Sequence, residues 1–272
     1  MLPALKLCNE ITTIHDVLFL DFPQYFSFKY RFVFNWLFKK AANRSELLLT
    51  VSEYSKDRIA YYYSINKSHI HIIPNGIPVM KLEESTTKNF ILYVSRIEAR
   101  KNHVGLIKAY VNSKLFAEGI KLIIAGRKSS EVPTLDAYVA SLPQKIRTNI
   151  IFCTPTDKEL RNLYSSCKLF VYPSLAEGFG IPPLEAALYR KPVLCANTTA
   201  MEEFQDLGFY MFDPNSDKEF SDKLFQLCHL NFDSIELEKT ALKIQQKYNW
   251  EYSAQLFLKY INQFENQNST QS

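Results

Sequence analysis

Glycine is the residue this chain does largely without. It has seven in 272 residues, where an average content of ~7% would give about nineteen. That excludes a scaffold of glycine-rich loops and makes each glycine a marker of unusual backbone. No acidic pair has the D-x-D spacing that holds a divalent cation, and the five histidines show no ligand spacing. Neither a metal nor a cofactor is therefore expected. The five cysteines, Cys8, Cys153, Cys167, Cys195 and Cys228, are odd in number and lack a C-x-x-C pair. Four of them fall in apolar stretches, so the expectation is reduced core thiols in a cytoplasmic protein. No apolar run is long enough to cross a bilayer, and Met1–Glu10 lacks the basic start and apolar stretch of a secretory leader. With a net charge of +4 and no dense basic cluster, a nucleic-acid partner is excluded, while a small anion or an anionic membrane surface suits the charge.

What is present is alternation. Strand-like segments occur at Glu10–Val17, Leu47–Val51 and His69–Ile73, then at Phe90–Ser95, Lys121–Ala125, Asn149–Cys153, Leu169–Tyr172, Val193–Cys195 and Phe209–Phe212. Helical patterns fill the intervals, among them Gln24–Asn43, Asn102–Phe116, Asp157–Cys167 and Asp217–Leu230, and Ser52 stands as the N-cap of a helix through Tyr63. Strands alternating with helices predict an α/β fold with a parallel, doubly wound sheet that binds ligands beyond its strand C-termini. The polar run Lys81–Lys88 reads as a linker. It divides the chain into a partial N-terminal domain (1–80) and a complete C-terminal domain (81–250), followed by a terminal helix and tail (251–272) packing back toward the N-terminal part. The first 80 residues supply about three strands and no glycine-rich first βα turn, so a Rossmann-like half is expected to be truncated there.

The chain is organised around Leu169–Asn197, LFVYPSLAEGFGIPPLEAALYRKPVLCAN. A strand runs into a turn holding two of the seven glycines, and the turn feeds a helix with Pro182 and Pro183 in its first turn, where proline is tolerated. Such a helix start offers free N–H groups and a positive dipole end to an anion. Glu177 and Glu185 flank it. Carboxylates repel a bare phosphate but accept hydrogen bonds from a vicinal diol, so the two features together point to a sugar nucleotide.

Glu177-Gly178-Phe179-Gly180-Ile181-Pro182-Pro183-Leu184-Glu185-Ala186 resembles the E-x7-E signature of the retaining glycosyltransferases of family 4. The resemblance implies a GT-B-like fold whose C-terminal domain binds the donor. It implies that Glu185 binds the nucleotide ribose and that Glu177 faces the donor sugar, within reach of the Phe179 and Gly180 N–H groups. Arg96 and Lys101, after strand Phe90–Ser95, match the cations that hold the donor diphosphate, with Arg100 a bystander. Gly126 fits a close backbone approach to the nucleotide or a plain turn. Thr13-Ile14-His15-Asp16 resembles the motif facing the sugar from the N-terminal domain, which makes His15 and Asp16 candidate catalytic residues. Asn75-Gly76 matches the interdomain turn. Arg190 and Glu202 depart from the family pattern at positions that carry no chemistry.

The function implied is transfer of a hexose, mannose being the first expectation, from a nucleoside diphosphate sugar to a saccharide or lipid-linked saccharide in bacterial surface polysaccharide assembly. The alternative is a non-catalytic or split-enzyme donor-binding module. Residues 25–44, YFSFKYRFVFNWLFKKAANR, interleave aromatics with Lys29, Arg31, Lys39, Lys40 and Arg44. This suits a helix resting on the inner face of an anionic membrane, or a packed helix with a solvated basic face, and it leaves open a partner chain supplying the missing half.

Overall fold

The computed structural model describes residues 8–78, 86–127 and 132–269. The start of Met1–Glu10 and most of the Lys81–Lys88 linker lie outside them. Two compact units emerge: Met1–Pro78 with Ala176–Phe179 and Gln246–Ser272, and Val79–Leu175 with Gly180–Gln245. Two boundaries thus differ from the sequence reading, because four residues of the organising turn and Gln246–Trp250 group with the N-terminal unit.

In the N-terminal unit, strand β1 (Ile11–Thr13) leads to the short helix α1 (Leu18–Asp21), then α2 (Phe28–Arg44), β2 (Leu47–Thr50), α3 (Glu53–Tyr63) and β3 (Ile70–Ile72). The strands pair in parallel in the order β1-β2-β3. β1 ends earlier than Val17 because Asp16 Oδ1 accepts the Leu18 N–H (3.1 Å) and starts α1. α2 likewise begins later than Gln24. Pro23–Tyr25 forms a 3₁₀ turn, and Ser27 Oγ then caps α2 by accepting the Tyr30 N–H. The unit's core is Ile14, Val17, Phe19, Ala42, Leu48, Ile59, Ala60, Tyr63 and Ile70.

The second unit is a six-stranded parallel sheet with helices between its strands. In chain order it comprises β4 (Phe90–Val94), α4 (His103–Ser113), β5 (Lys121–Ala125), α5 (Pro133–Ser141), α6 (Gln144–Arg147), β6 (Ile150–Cys153) and α7 (Asp157–Ser166). Then follow β7 (Leu169–Tyr172), α8 (Ile181–Leu188), β8 (Val193–Ala196), β9 (Tyr210–Phe212), α9 (Asp217–His229) and α10 (Ser234–Lys247). The strand order is β6-β5-β4-β7-β8-β9, so the winding reverses between β4 and β7. This is the doubly wound α/β architecture expected, and the crevice at such a reversal is where ligands of these sheets bind. β4 and β7 pair at only two positions, Ile91 with Leu169 and Leu92 with Phe170, which leaves their C-terminal ends free to part. β7 and β8 are buried throughout, as strands covered on both faces must be.

Helix α11 (Trp250–Ser269) closes the chain and belongs to the N-terminal unit. Ser253 Oγ donates to the Pro74 carbonyl (2.6 Å), the Ile77 N–H to the Tyr248 carbonyl (2.8 Å). A Cβ on Gly76 would lie 2.5 Å from the Trp250 nitrogen. The 74–77 turn therefore packs on the helix start, and only a residue without a side chain fits there.

Candidate functional site

The chemistry of the larger unit gathers where β4 ends. Lys101 closes a 3₁₀ turn (Ala99–Lys101) and is 7% exposed. Its Nζ donates to the Tyr172 hydroxyl (3.1 Å) and sits 5.4 Å from that ring's centre. The Tyr93 hydroxyl donates to the Lys101 carbonyl (2.6 Å). Asn102, in the left-handed region at φ 53°, caps α4 by accepting the Gly105 N–H. A cation held by the last residue of β7, on a turn locked by β4, is fixed at the reversal point with few rotamers to lose on binding an anion.

Arg96 is placed otherwise. Its side chain is 65% exposed and pairs with Glu98 (3.1 Å). Arg100 pairs with the other oxygen of Glu98 (3.2 Å), and its carbonyl accepts the Leu175 N–H (2.8 Å) and the Ser174 hydroxyl. The expected bystander thus ties the loop after β7 to the loop after β4. Behind them His103 is buried, with Nε2 3.2 Å from Ser95 Oγ. Desolvation pushes its imidazole down to about 4 against the pull of the Glu98 carbonyl, with Lys101 adding to the depression. It is neutral at physiological pH.

Gly126 meets the chain itself. At φ 153° a Cβ there would lie 1.9 Å from the Ser95 carbonyl oxygen and 3.4 Å from the Arg96 nitrogen, so the glycine lets β5 end against β4. It also borders a cavity of about 600 Å³ lined by Ile97, Leu135, Val139, Phe152 and Thr154.

Gly180 is the N-cap of α8 at a φ of 105°, where a Cβ would collide with the Met201 side chain. Glu185 is half-buried on this helix, and its Oε2 accepts the Tyr164 hydroxyl (2.7 Å). Burial pushes the Glu185 carboxyl above the ordinary carboxylate range, and the tyrosine bond opposes that.

The turn residues Ala176–Phe179 belong to the N-terminal unit. The Gly178 carbonyl accepts from Ser52 Oγ (2.7 Å) and Ser55 Oγ (3.1 Å) at the start of α3, and a Cβ on Gly178 would sit 2.6 Å from the Asp16 Cβ. Ser52 therefore does two jobs with one hydroxyl, accepting the Ser55 N–H as N-cap and donating to the turn. Asp16 and the turn are brought together. Glu177 is 7% exposed, Phe179 packs edge-on against Tyr248 (5.7 Å), and His15 is exposed, its carbonyl accepting from Thr50. Among the described residues no group of three or more His, Cys, Asp or Glu side chains is placed to hold a metal ion.

Residues 79–247, more than half of the chain, match the family model described as "Glycosyl transferases group 1". The chain belongs to the glycosyl transferases group 1. Residues 3–81 match a second model, "Glycosyltransferase Family 4". This group 1 chain is 30% identical over 220 residues to O-antigen chain mannosyltransferase RfbU of Salmonella typhimurium, covering 80% of the chain and 60% of RfbU. It is 28% identical over 263 residues to O-antigen chain mannosyltransferase B of Escherichia coli, covering 90% of the chain and 68% of that protein. The chain thus spans about three fifths of RfbU's length. In fold it is similar to Anabaena HepE, solved in complex with UDP and glucose, with TM-score 0.72 and 18% identity over 92% of the chain and 71% of HepE. It is also similar to a glycosyltransferase from Rickettsia africae, with TM-score 0.69 and 19% identity over 85% of the chain and 67% of that structure.

The family 4 resemblance led to Lys101 and Glu185 but not to the tyrosines that hold them. Tyr172 and Tyr164 sit in apolar periods of β7 and α7 and read as core. Nothing in their spacing marks the hydroxyls, whose partners lie 71 and 21 residues away.

Proposed function

We propose that this chain carries the donor-handling part of a retaining hexosyltransferase. It would move a hexose, mannose first, from a nucleoside diphosphate sugar to a saccharide or lipid-linked acceptor of a bacterial surface polysaccharide. The observation that carries the reading is Lys101, a buried lysine held at the reversal point of a doubly wound sheet, on a chain whose α8 presents Glu185. The mannosyltransferase relatives support the choice of sugar.

In the proposed reaction the acceptor oxygen forms a bond to the anomeric carbon as that carbon's bond to the diphosphate breaks on the same face. The acceptor proton passes to the departing phosphate. Lys101, a cation already fixed by Tyr172, stabilises the leaving charge without a metal, and the exposed Arg96 adds to it. Glu185 takes the ribose hydroxyls and Glu177 the donor sugar, with the Phe179 and Gly180 N–H groups beside it. The base occupies the cavity bordered by Gly126, and His15 with Asp16 serves the sugar from the N-terminal unit.

Two further expectations concern the N-terminal unit. No described helix is long and apolar enough to cross a membrane, but α2 exposes Phe28, Phe32 and Trp36 at i, i+4 and i+8, 60% or more each, with Lys29, Lys39 and Lys40 nearby. That pattern supports a peripheral contact with an anionic cytoplasmic leaflet. Among the described residues β1 pairs on one side only, which suits a partner polypeptide supplying further strands.

The test is calorimetric titration with GDP and UDP, followed by incubation with GDP-mannose and membrane lipid extract. Lys101→Ala and Glu185→Ala are each expected to weaken nucleotide binding by about 2 kcal/mol, roughly 30-fold. Unchanged affinity in both variants overturns the reading.

A further inference from the structure

Tyr164 lies in the last turns of α7 and is 1% exposed, out of reach of solvent. Its ring stacks face to face on Tyr189 (5.6 Å between centres, 8° between planes) and tilts against Phe170 of β7 (5.6 Å, 37°). Buried and in contact with two aromatic rings, the side chain is held by its packing, so its hydroxyl keeps one direction. That direction is Glu185 Oε2, at 2.7 Å. Among the described residues the Glu185 carboxylate has no other hydrogen-bond partner, and its side chain is half-buried rather than enclosed.

We propose that Tyr164 is a positioning residue that holds the Glu185 carboxylate by one oxygen and leaves the other presented to the ribose diol of the donor nucleotide. The proposal rests on the reading of Glu185 as the ribose acceptor and adds what makes that acceptor effective. A glutamate has three side-chain torsions, and freezing them on binding removes affinity. A fixed phenol freezes them beforehand. It also favours the ionised carboxylate, the form able to accept hydroxyl hydrogens, against the upward push of burial. Tyr164 stays a donor throughout, because burial and the Glu185 charge hold its own phenol well above the ordinary range. The other titratable groups facing the pair are Cys167 and Tyr189, with Lys191 beyond Cys167. Cys167 is pushed up to about 12 by burial and is neutral.

The experiment compares the full chain with Tyr164→Phe and Glu185→Gln, titrating GDP, UDP and the 2′-deoxy form of whichever binds tighter, from pH 5 to 8. The parent protein is expected to prefer the ribonucleotide by about tenfold, the scale of one hydrogen bond to a charged group. Tyr164→Phe should lose most of that preference through weaker ribonucleotide binding alone, with 2′-deoxynucleotide affinity unchanged. The pH midpoint of its ribonucleotide binding should move upward, because the carboxylate loses the bond that keeps it ionised. A core tyrosine with no positioning role would weaken both nucleotides equally and leave the midpoint in place, and that result overturns the proposal. Should Tyr164→Phe not fold, Tyr189→Leu decides: it frees one face of the ring and is expected to reduce the preference about threefold, and an unchanged preference overturns the proposal. If Glu185→Gln abolishes the preference while Tyr164→Phe retains it, the positioning role alone falls. If the parent shows no preference, the reading of Glu185 falls with it.

Discussion

The two sheets of this chain obey the same rules and reach different degrees of cover. In the six-stranded sheet three of the four inner strands, β4, β7 and β8, are buried almost throughout, between helices that follow each strand. In the three-stranded sheet only the middle strand β2 is wholly buried. β1 leaves Ile11 44% exposed, and among the described residues it pairs on one side only. α2 buries just Ala41 and Ala42 completely along seventeen residues, and a groove of about 510 Å³ runs between Ile11–Ile14 and Phe34–Ala41. A parallel sheet is stable when both faces are covered, so most of the larger unit's apolar surface is used up in its own packing. Much of the smaller one's remains available for contact.

That contrast can be broken most severely in the larger unit. Gly126→Ala would drive a Cβ into the Ser95 carbonyl, a backbone atom that cannot step aside, and is expected to destabilise by about 3 kcal/mol or more. Thermal unfolding checks it, and a melting temperature within a degree of the parent would show that β5 can end elsewhere.

Acid should attack the same place next. His103 has a folded-state value near 4 against an ordinary 6.5, so between those values the unfolded chain binds the extra proton. The stability this neutral histidine supports is complete above about pH 6.5 and is lost as pH falls toward 4, by up to roughly 3 kcal/mol. Urea unfolding at pH 7 and 4.5, with His103→Gln as the comparison, reads it. The variant should show a visibly shallower decline.

The smaller unit should yield less. Ser52→Ala removes the cap of α3 and the longer-range bond to Gly178 together, an expected loss of about 1–2 kcal/mol by denaturant midpoint. At the far end of the scale, Phe32→Ser with Trp36→Ser changes residues 69% and 60% exposed. Stability should move by no more than about 0.5 kcal/mol, while binding to vesicles containing phosphatidylglycerol should fall. Loss of stability without loss of vesicle binding would show the aromatic face to be core.

How much of this was legible beforehand differs by element. β5 and β7 were expected at their observed bounds, because continuous apolar runs closed by glycine, proline or polar residues have few other readings. α3 was expected from its cap to its end, since Ser52 is followed by an unbroken helical pattern. α2 began four residues later than expected, because Pro23 favoured a 3₁₀ turn and Ser27 then offered the better cap. The long 3₁₀ segment Thr199–Leu207 was not expected at all, although its buried Met201, Phe204 and Leu207 recur every three residues, the period of a 3₁₀ helix. At the candidate site, Lys101 and Glu185 were named from a motif. Arg100 was set aside, yet its carbonyl links two loops, a role no side-chain pattern encodes.

The order of amino acids alone determined the alternation of strands and helices, the proline-started helix after a glycine turn, and the residue types able to meet a sugar nucleotide. These are local matters, settled by periodicity, capping and backbone freedom within a few residues. Only the folded chain decided that Tyr172 holds Lys101, that Tyr164 holds Glu185, and that Ser52 holds Gly178. Each of those bonds joins residues far apart in the chain, and a hydroxyl's partner is set by which elements pack together rather than by its neighbours in sequence.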